Sequence, residues 1–326
     1  MPSDNLNRDK LPGWNTPPEN NAWTKIDNAV NAAAEAASIA PKIITPQKVP
    51  GALDVPNNTL ERTKVASNTN GSVTVISIGE GGKVPLLKAE ARFSLTETQV
   101  ANVANGTEME GVTTLATMMA TQVAQAADAI IFRDPNRNNW QDQFPSVMVT
   151  GTLATKGGLL AAAEEEIDID PAELNEGDFG EQIVVAVAKA YAYLASKKGD
   201  PGPYKAVLPA NVYADLRAPL LPMSLVTPAE RTKFPSLDDI YGTGTLPDLQ
   251  GLFVSPLYGH RINLFYGQDL VTGFDRSEQG IYYFRVFQRF QLVVVDPAAV
   301  VKLVFTEKEP SRAEKPKARH AIATVG

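Results

Sequence analysis

The stretch that decides the fold is Ile262–Phe305, INLFYGQDLVTGFDRSEQGIYYFRVFQRFQLVVVDPAAVVKLVF. β-Branched and aromatic residues fill Ile262–Tyr266, Tyr282–Phe287, Phe290–Val295 and Val300–Phe305, with Gly, Asp, Ser and Pro between them, which predicts four successive strands. Asp296-Pro297-Ala298-Ala299 separates the last two, because proline lacks the N–H a ladder needs and the Asp before it favours a turn. A sheet is closed late in the chain.

Outward from that sheet, helices and strands alternate. Ala22–Ala40 reads as a helix capped by Asn20 or Asn21, with Trp23, Ile26, Val30 and Ala33 or Ala34 on one stripe and Pro41 as its stop. Such a stripe either docks on its own core or forms one wall of a peptide groove. Gly51–Lys83 has few large apolar residues and predicts a hairpin of Arg62–Ala66 and Ser72–Ile78 around Asn68-Thr69-Asn70-Gly71. A hairpin with so little core of its own needs a partner elsewhere. Leu86–Leu95 reads as a strand, Thr113–Arg133 as a long helix with Leu115, Met118, Met119 and Val123 on its core face, and Phe179–Lys198 as a second long helix. After Pro201-Gly202-Pro203 come a strand over Tyr204–Leu208 and a helix near Ala210–Arg217, while Ser236–Gly251 reads as a loop. The pattern is α+β.

Composition narrows the chemistry. At 326 residues, 44% hydrophobic and 21% charged, the chain can bury a full core and is neither disordered nor fibrous. Met1–Asn21, rich in Asn, Pro and charge, has only Leu6, Leu11 and Trp14 as large apolar residues, and is expected to be an arm that is free or orders on a neighbour. No apolar run approaches the length of a bilayer span, and Met1–Lys10 has no apolar centre for a signal peptide, so the expectation is a soluble, cytoplasmic protein. Cysteine is absent, and His260 and His320 are the only histidines. Thiolate chemistry is excluded, and a His-based triad or multi-His metal site has almost no material. A net charge of −7 argues against a surface that coats nucleic acid. Nor does the Thr306–Gly326 tail alter this, since its lysines and arginines are interrupted by Glu307, Glu309 and Glu314.

Three stretches imitate sites and fail on spacing. Gly79-Glu80-Gly81-Gly82-Lys83 lacks the P-loop spacing and has Val84 where Ser or Thr is needed, so it reads as a turn. Asp134-x-Asn136-x-Asn138 starts like a calcium loop, but Asn139 and Pro145 stand where Gly and Glu are required. Glu164–Glu166 with Asp168 and Asp170 reads as a wet acidic turn.

One resemblance runs from Trp23 to Phe305. Trp23-x-x-Ile26-Asp27, Val84-Pro85-Leu86-Leu87, Ala91-x-Phe93-x-Leu95, Asp128-x-x-Ile131-Phe132-Arg133, Lys156-Gly157-Gly158-Leu159-Leu160, Gly202-Pro203-Tyr204 and Gly267-Gln268-Asp269-Leu270 occur in the order of the encapsulin shell proteins, which share the Hong Kong 97-type capsid fold of tailed phages. The resemblance implies an N-terminal arm (1–21), a helix and connection (22–53), an extended hairpin arm (54–83), a peripheral domain with a spine helix (84–177), an axial domain (178–269), C-terminal strands of the peripheral domain (270–305) and a tail (306–326). It further implies a structural role rather than an enzymatic one: a homo-oligomeric icosahedral shell, a cytoplasmic nanocompartment around a cargo protein of ferritin-like or peroxidase class. The cargo's docking peptide would lie against Trp23, Ile26 and Val30, and a pore would be lined by Asp238, Asp239, Tyr241, Gly242, Thr243 and Gly244. No cofactor is expected, because Thr98 stands where flavin-binding members carry Trp. Met1–Asn21, 134–152 and the tail depart from the family's usual core. A phage or prophage major capsid protein is the alternative with the same fold. A hydrolase using the carboxylates of Glu164–Asp170 is the alternative from another class, and nothing in the sequence sets two of them across a cleft.

Overall fold

A computed structural model describes residues 6–15, 21–67, 71–133, 140–155, 157–169, 179–197, 199–217, 227–233, 237–256 and 261–307. In chain order come α1 (Ala22–Ala37), α2 (Ala40–Ile43), β1 (Pro46–Lys48), β2 (Asp54–Ser67), β3 (Gly71–Pro85), β4 (Leu87–Thr96), α3 (Glu97–Ala104) and α4 (Met109–Phe132). They are followed by α5 (Trp140–Gln143), β5 (Val147–Thr150), α6 (Gly158–Ala162), β6 (Glu165–Asp168), α7 (Phe179–Ala192), β7 (Tyr204–Pro209), α8 (Ala210–Ala214) and α9 (Pro228–Arg231). The chain continues with β8 (Leu237–Thr243), β9 (Gln250–Val254), β10 (Ile262–Glu278), β11 (Ile281–Val294) and β12 (Val300–Val304).

Two five-stranded sheets, ordered β1-β10-β11-β4-β5 and β6-β12-β9-β7-β8, carry the molecule, and among the described residues β2 pairs only with β3. In the first sheet alternate residues of β4 and β11 face the helices: Phe93 lies opposite Phe284, Ala91 opposite Val286 and Leu87 opposite Phe290. All six are buried in the core that α1 and α4 complete. α4 is long and apolar enough, by length and composition, to cross a bilayer. Its Ala116, Ala120, Val123, Ala127 and Ile131 are instead buried against α1 and the sheet, where small side chains let the backbones approach closely. A second core, with Ile183, Val187, Tyr204, Phe253 and Leu303 in it, joins α7 to the second sheet.

Several sequence expectations change. The four late strands are three, because the second and third expected strands are one, β11, while β10 runs on unbroken through Gly267-Gln268-Asp269 and Gly273 by absorbing register shifts opposite β11. β11 likewise passes straight through Gln288-Arg289, its ladder to β4 intact on both sides. β12 belongs to the second sheet, so a boundary that puts all of 270–305 with the first sheet does not follow the strand pairing, and neither does one that puts Ile262–Asp269 with the second. The Gly79–Lys83 turn lies inside β3, with Gly82 at φ 78° accommodating the bulge opposite Pro56 and Asn58. Met118 is exposed rather than core. Glu165–Asp168 is a strand parallel to β12 with Ile167 turned inward, not a wet turn. The Asn68–Asn70 turn, Asp134–Asn139, Asp170, His260, His320 and nearly all of the tail lie outside the described residues.

Candidate docking and assembly surfaces

α1 starts where Asn21 Oδ1 accepts the Thr24 amide at 2.7 Å, which fixes the helix's phase and turns Trp23, Ile26 and Val30 onto α4 and β10. All three are fully buried within this chain. What buries Trp23 is the N-terminal segment: Trp14 packs on it at 5.0 Å between ring centroids and stacks on Phe284 at 5.2 Å, and the Arg8 guanidinium lies 5.0 Å above the Trp23 ring. Asp27, on the neighbouring stripe, accepts Arg8 Nη2 at 2.6 Å and the Thr272 amide at 3.1 Å. Met1–Asn21 is expected to be an arm free or ordered on a neighbour; residues 6–15 of it instead order on their own chain, through apolar anchors too sparse to reveal this in sequence.

The six expected pore residues fall in a different setting. Leu237–Thr243 is a strand, parallel to β7, rather than a loop, because Ile240 and Tyr241 pair with Ala206 and Val207. Thr243 is buried and hydrogen-bonds Thr245 at 2.7 Å, Tyr241 is half-buried against the first core, and Gly242 sits where a Cβ would come within 2.4 Å of the Tyr213 ring. Asp239 and Gly244 are exposed, and the Asp238 side chain lies outside the described residues. Gly242, Thr243 and Gly244 border a cleft with Ile39 and Gln125.

Buried ionisable groups act as clamps at the joints. Asp128, near the C-terminal end of α4, accepts Ser38 Oγ at 2.7 Å, the Ile39 amide at 2.5 Å and the Ala40 amide at 3.1 Å, so it pins the turn between α1 and α2. Complete burial pushes its carboxyl up to about 6 against the pull of those three donors. Burial likewise raises Tyr266, with Asp128 and Asp269 adding to the shift. At the junction of the two sheets Arg261 donates to Asp296 through Nε at 2.9 Å and Nη2 at 2.7 Å, and to Asp200 through Nη1. The hydroxyl of Tyr204 donates to the Asp200 carbonyl, and burial followed by the Asp200 charge pushes that phenol up to about 12. Arg133 Nη2 reaches the Leu246 carbonyl at 2.7 Å, tying the end of α4 to the loop before β9, and burial draws its guanidinium down against the opposing effect of Asp248.

On the outer face of the first sheet, Glu90 lies between Lys88 at 2.7 Å and Arg92 at 3.0 Å. Burial acts to raise Glu90, but the two cations outweigh it and hold the carboxyl below its ordinary range. Among the described residues no three Asp, Glu or His side chains converge as a metal site.

No family model matches the chain, and no curated protein matches it. Solved structures do. A virus-like particle from Pyrococcus furiosus superposes with a TM-score of 0.56 at 15% identity, over 86% of this chain and 98% of that one. The fold is the Hong Kong 97-type capsid fold. The capsid protein of Myoviridae phage XM1 aligns at TM-score 0.52 and 14% identity over 81% of this chain and 90% of its own. The capsid of a native GTA particle aligns at 0.53 and 16% over 84% and 91%. α4 is the helix expected as the spine and β2–β3 is the extended arm of this fold, and two of the clamps above, Asp128 and Arg133, belong to the motif at the end of α4. Asp128 and Arg133 secure the two ends of the spine's last turns. Gly158 lies with its Cα against the spine's final carbonyls, where a Cβ would come within 2.4 Å of Arg133 O. Gly267 faces Leu86, whose side chain would be 2.1 Å from a Cβ there.

Proposed function

We propose that this chain is the subunit of a self-assembling closed shell. The observation that carries the reading is the β2–β3 ribbon. Its base packs on Leu86, Phe265, Val293 and Val295 through Val55, and Leu60 donates to the Val295 carbonyl at 2.8 Å. Further out, Ile76 and Ile78 stand 62% and 67% exposed on one face of the ribbon. A two-stranded ribbon is marginal in water without a third layer, so this one is built to lie on another copy. The capsid fold supports the same reading.

The finer reading is an encapsulin-type compartment that encloses a protein cargo in the cytoplasm. The resemblance in landmark order supports it, and the net charge of −7 favours a protein content over a nucleic-acid one. A phage-type capsid is the competing reading.

Electron microscopy of the chain expressed alone tests the proposal, together with the 260/280 nm absorbance ratio of the purified particles. Uniform closed particles with a protein-like ratio are expected. The Ile76→Asp/Ile78→Asp double variant should keep its far-ultraviolet circular dichroism yet fail to close. A wild type that stays monomeric, or a double variant that closes as well as wild type, overturns the assembly reading; nucleic acid inside closed particles overturns the cargo reading alone.

A further inference from the structure

The edge of β10 beyond its short pairing with β1 is finished by the N-terminal segment in an unusual way. β1 covers β10 only at Leu264, Phe265 and Tyr266, which leaves the backbone of Thr272 and Phe274 facing out. The Phe274 amide donates to Leu6 O at 2.9 Å, and the Phe274 carbonyl accepts Asn7 Nδ2 at 3.4 Å. Arg8 covers the Thr272 carbonyl with Nε at 3.0 Å and Nη2 at 2.6 Å, and the Thr272 amide goes to Asp27. Both backbone polar groups of Thr272 and of Phe274 are thus satisfied, but among the described residues a single one of these bonds is backbone to backbone. An added strand would make such bonds along its whole length.

The fit is incomplete underneath as well. Trp23 Nε1 and Thr272 Oγ1 are buried and find no hydrogen-bond partner among the described residues, although each can donate. The Trp23 ring lies under the Arg8 guanidinium, which also bonds the backbone carbonyl of Thr272. The segment's buried apolar anchors are Leu11 and Trp14, whose indole donates to Val100 O at 3.1 Å, whereas Asp9, Lys10 and Gly13 are exposed.

We propose that residues 6–14 are a built-in ligand of this groove, exchangeable with a second peptide of the same chemistry: a guanidinium that reaches Asp27 and the β10 edge, followed by an aromatic ring that packs against the Trp23–Phe284 pair. The two unpartnered donors mark where a better-fitting peptide gains hydrogen bonds. Because only residues 15–21 separate the segment from α1, it competes at the high effective concentration of a short tether, and the groove is closed in the intact chain. Any partner that docks against α1 enters by displacing it. The cargo reading bears only on which partner that would be; the self-occupied groove stands without it.

The probe is a fluorescein-labelled peptide with the sequence of residues 4–17, and its anisotropy is followed with two forms of the protein. The intact chain is expected to bind it about 100-fold more weakly than a chain lacking residues 1–15, as the tether requires. Binding should be lost by peptides carrying Trp14→Ala and weakened by those carrying Arg8→Ala. A second form has a protease site in place of residues 16–20 and is cut after folding, so that the groove is tested even where the shortened chain does not fold. The cut segment should then exchange with the labelled peptide. A shortened chain that melts cooperatively yet ignores the peptide, an intact chain that binds equally well, or a cut segment that never exchanges overturns the proposal. Particle closure, imaged in the same samples, is read separately, so failure of the groove and failure of the shell are distinguishable.

Discussion

Replacing Asp128 separates what burial does to a carboxylate from what its donors do. Asp128→Ala leaves the buried Ala40 amide, the Ile39 amide and the Ser38 hydroxyl without their acceptor. At about 1–3 kcal/mol for each buried donor left unmade, a loss of roughly 3–5 kcal/mol is expected once partial hydration is allowed for. Asp128→Asn is the informative variant. Its carbonyl can still serve Ser38 and Ala40, but its NH2 would face the Ile39 amide, donor against donor. At pH 7 that cost is set against relief of the buried charge, which a carboxyl raised from 3.8 to about 6 puts at roughly 3 kcal/mol, so the variant should lie close to wild type. The sign with pH follows from the raised value. A folded-state value above the unfolded one gives a contribution fully present below 3.8 and lost as the pH rises through about 6. Wild type should therefore gain on Asp128→Asn by about 1.4 kcal/mol for each pH unit between 6 and 4, and not at all above 7. Urea unfolding of both proteins from pH 4.5 to 8 measures the difference. Parallel curves through pH 6 would refute the reasoning and mean that the three donors, not burial, set the charge.

Two further variants test the joints. Arg261→Ala strands Asp200 and Asp296 as buried charges at the junction of the two sheets, and should cost about 3–5 kcal/mol in urea unfolding; a loss under 1 kcal/mol would mean water reaches the site. Gly158→Ala adds a Cβ 2.4 Å from Arg133 O at φ 69°, whereas Gly106→Ala at φ 78° meets nothing within 4 Å. Both incur backbone strain of about 1–3 kcal/mol, so the first should melt well below the second, and equal melting temperatures would show that the end of α4 yields to the intruding carbon.

Much of the architecture is legible in local pattern. The stripe of Trp23, Ile26 and Val30, the alternation along Leu87–Leu95 and the apolar late strands each follow from the residues themselves. α3 is absent from the sequence reading although Thr96-x-x-Gln99 forms a capping box, because the helix is so short that its apolar period barely registers. The β8 strand was not, because Asp238-Asp239 and three glycines look like a turn, and only pairing with β7 supplies the hydrogen bonds that hold it extended.

The candidate docking surface divides the same way. Its wall residues could be picked from helical spacing, but not that the chain's own residues 6–15 cover them, since that contact joins Arg8 to Thr272 and Trp14 to Phe284 across most of the sequence. The acidic, cysteine-free composition and the period of each element belong to the sequence alone, because they depend on residue identity and near neighbours. The splitting of the late strands between two sheets, the burial of Asp128 and the occupation of the groove belong to the tertiary structure. Each depends on which distant backbone groups are left without partners once the elements have packed.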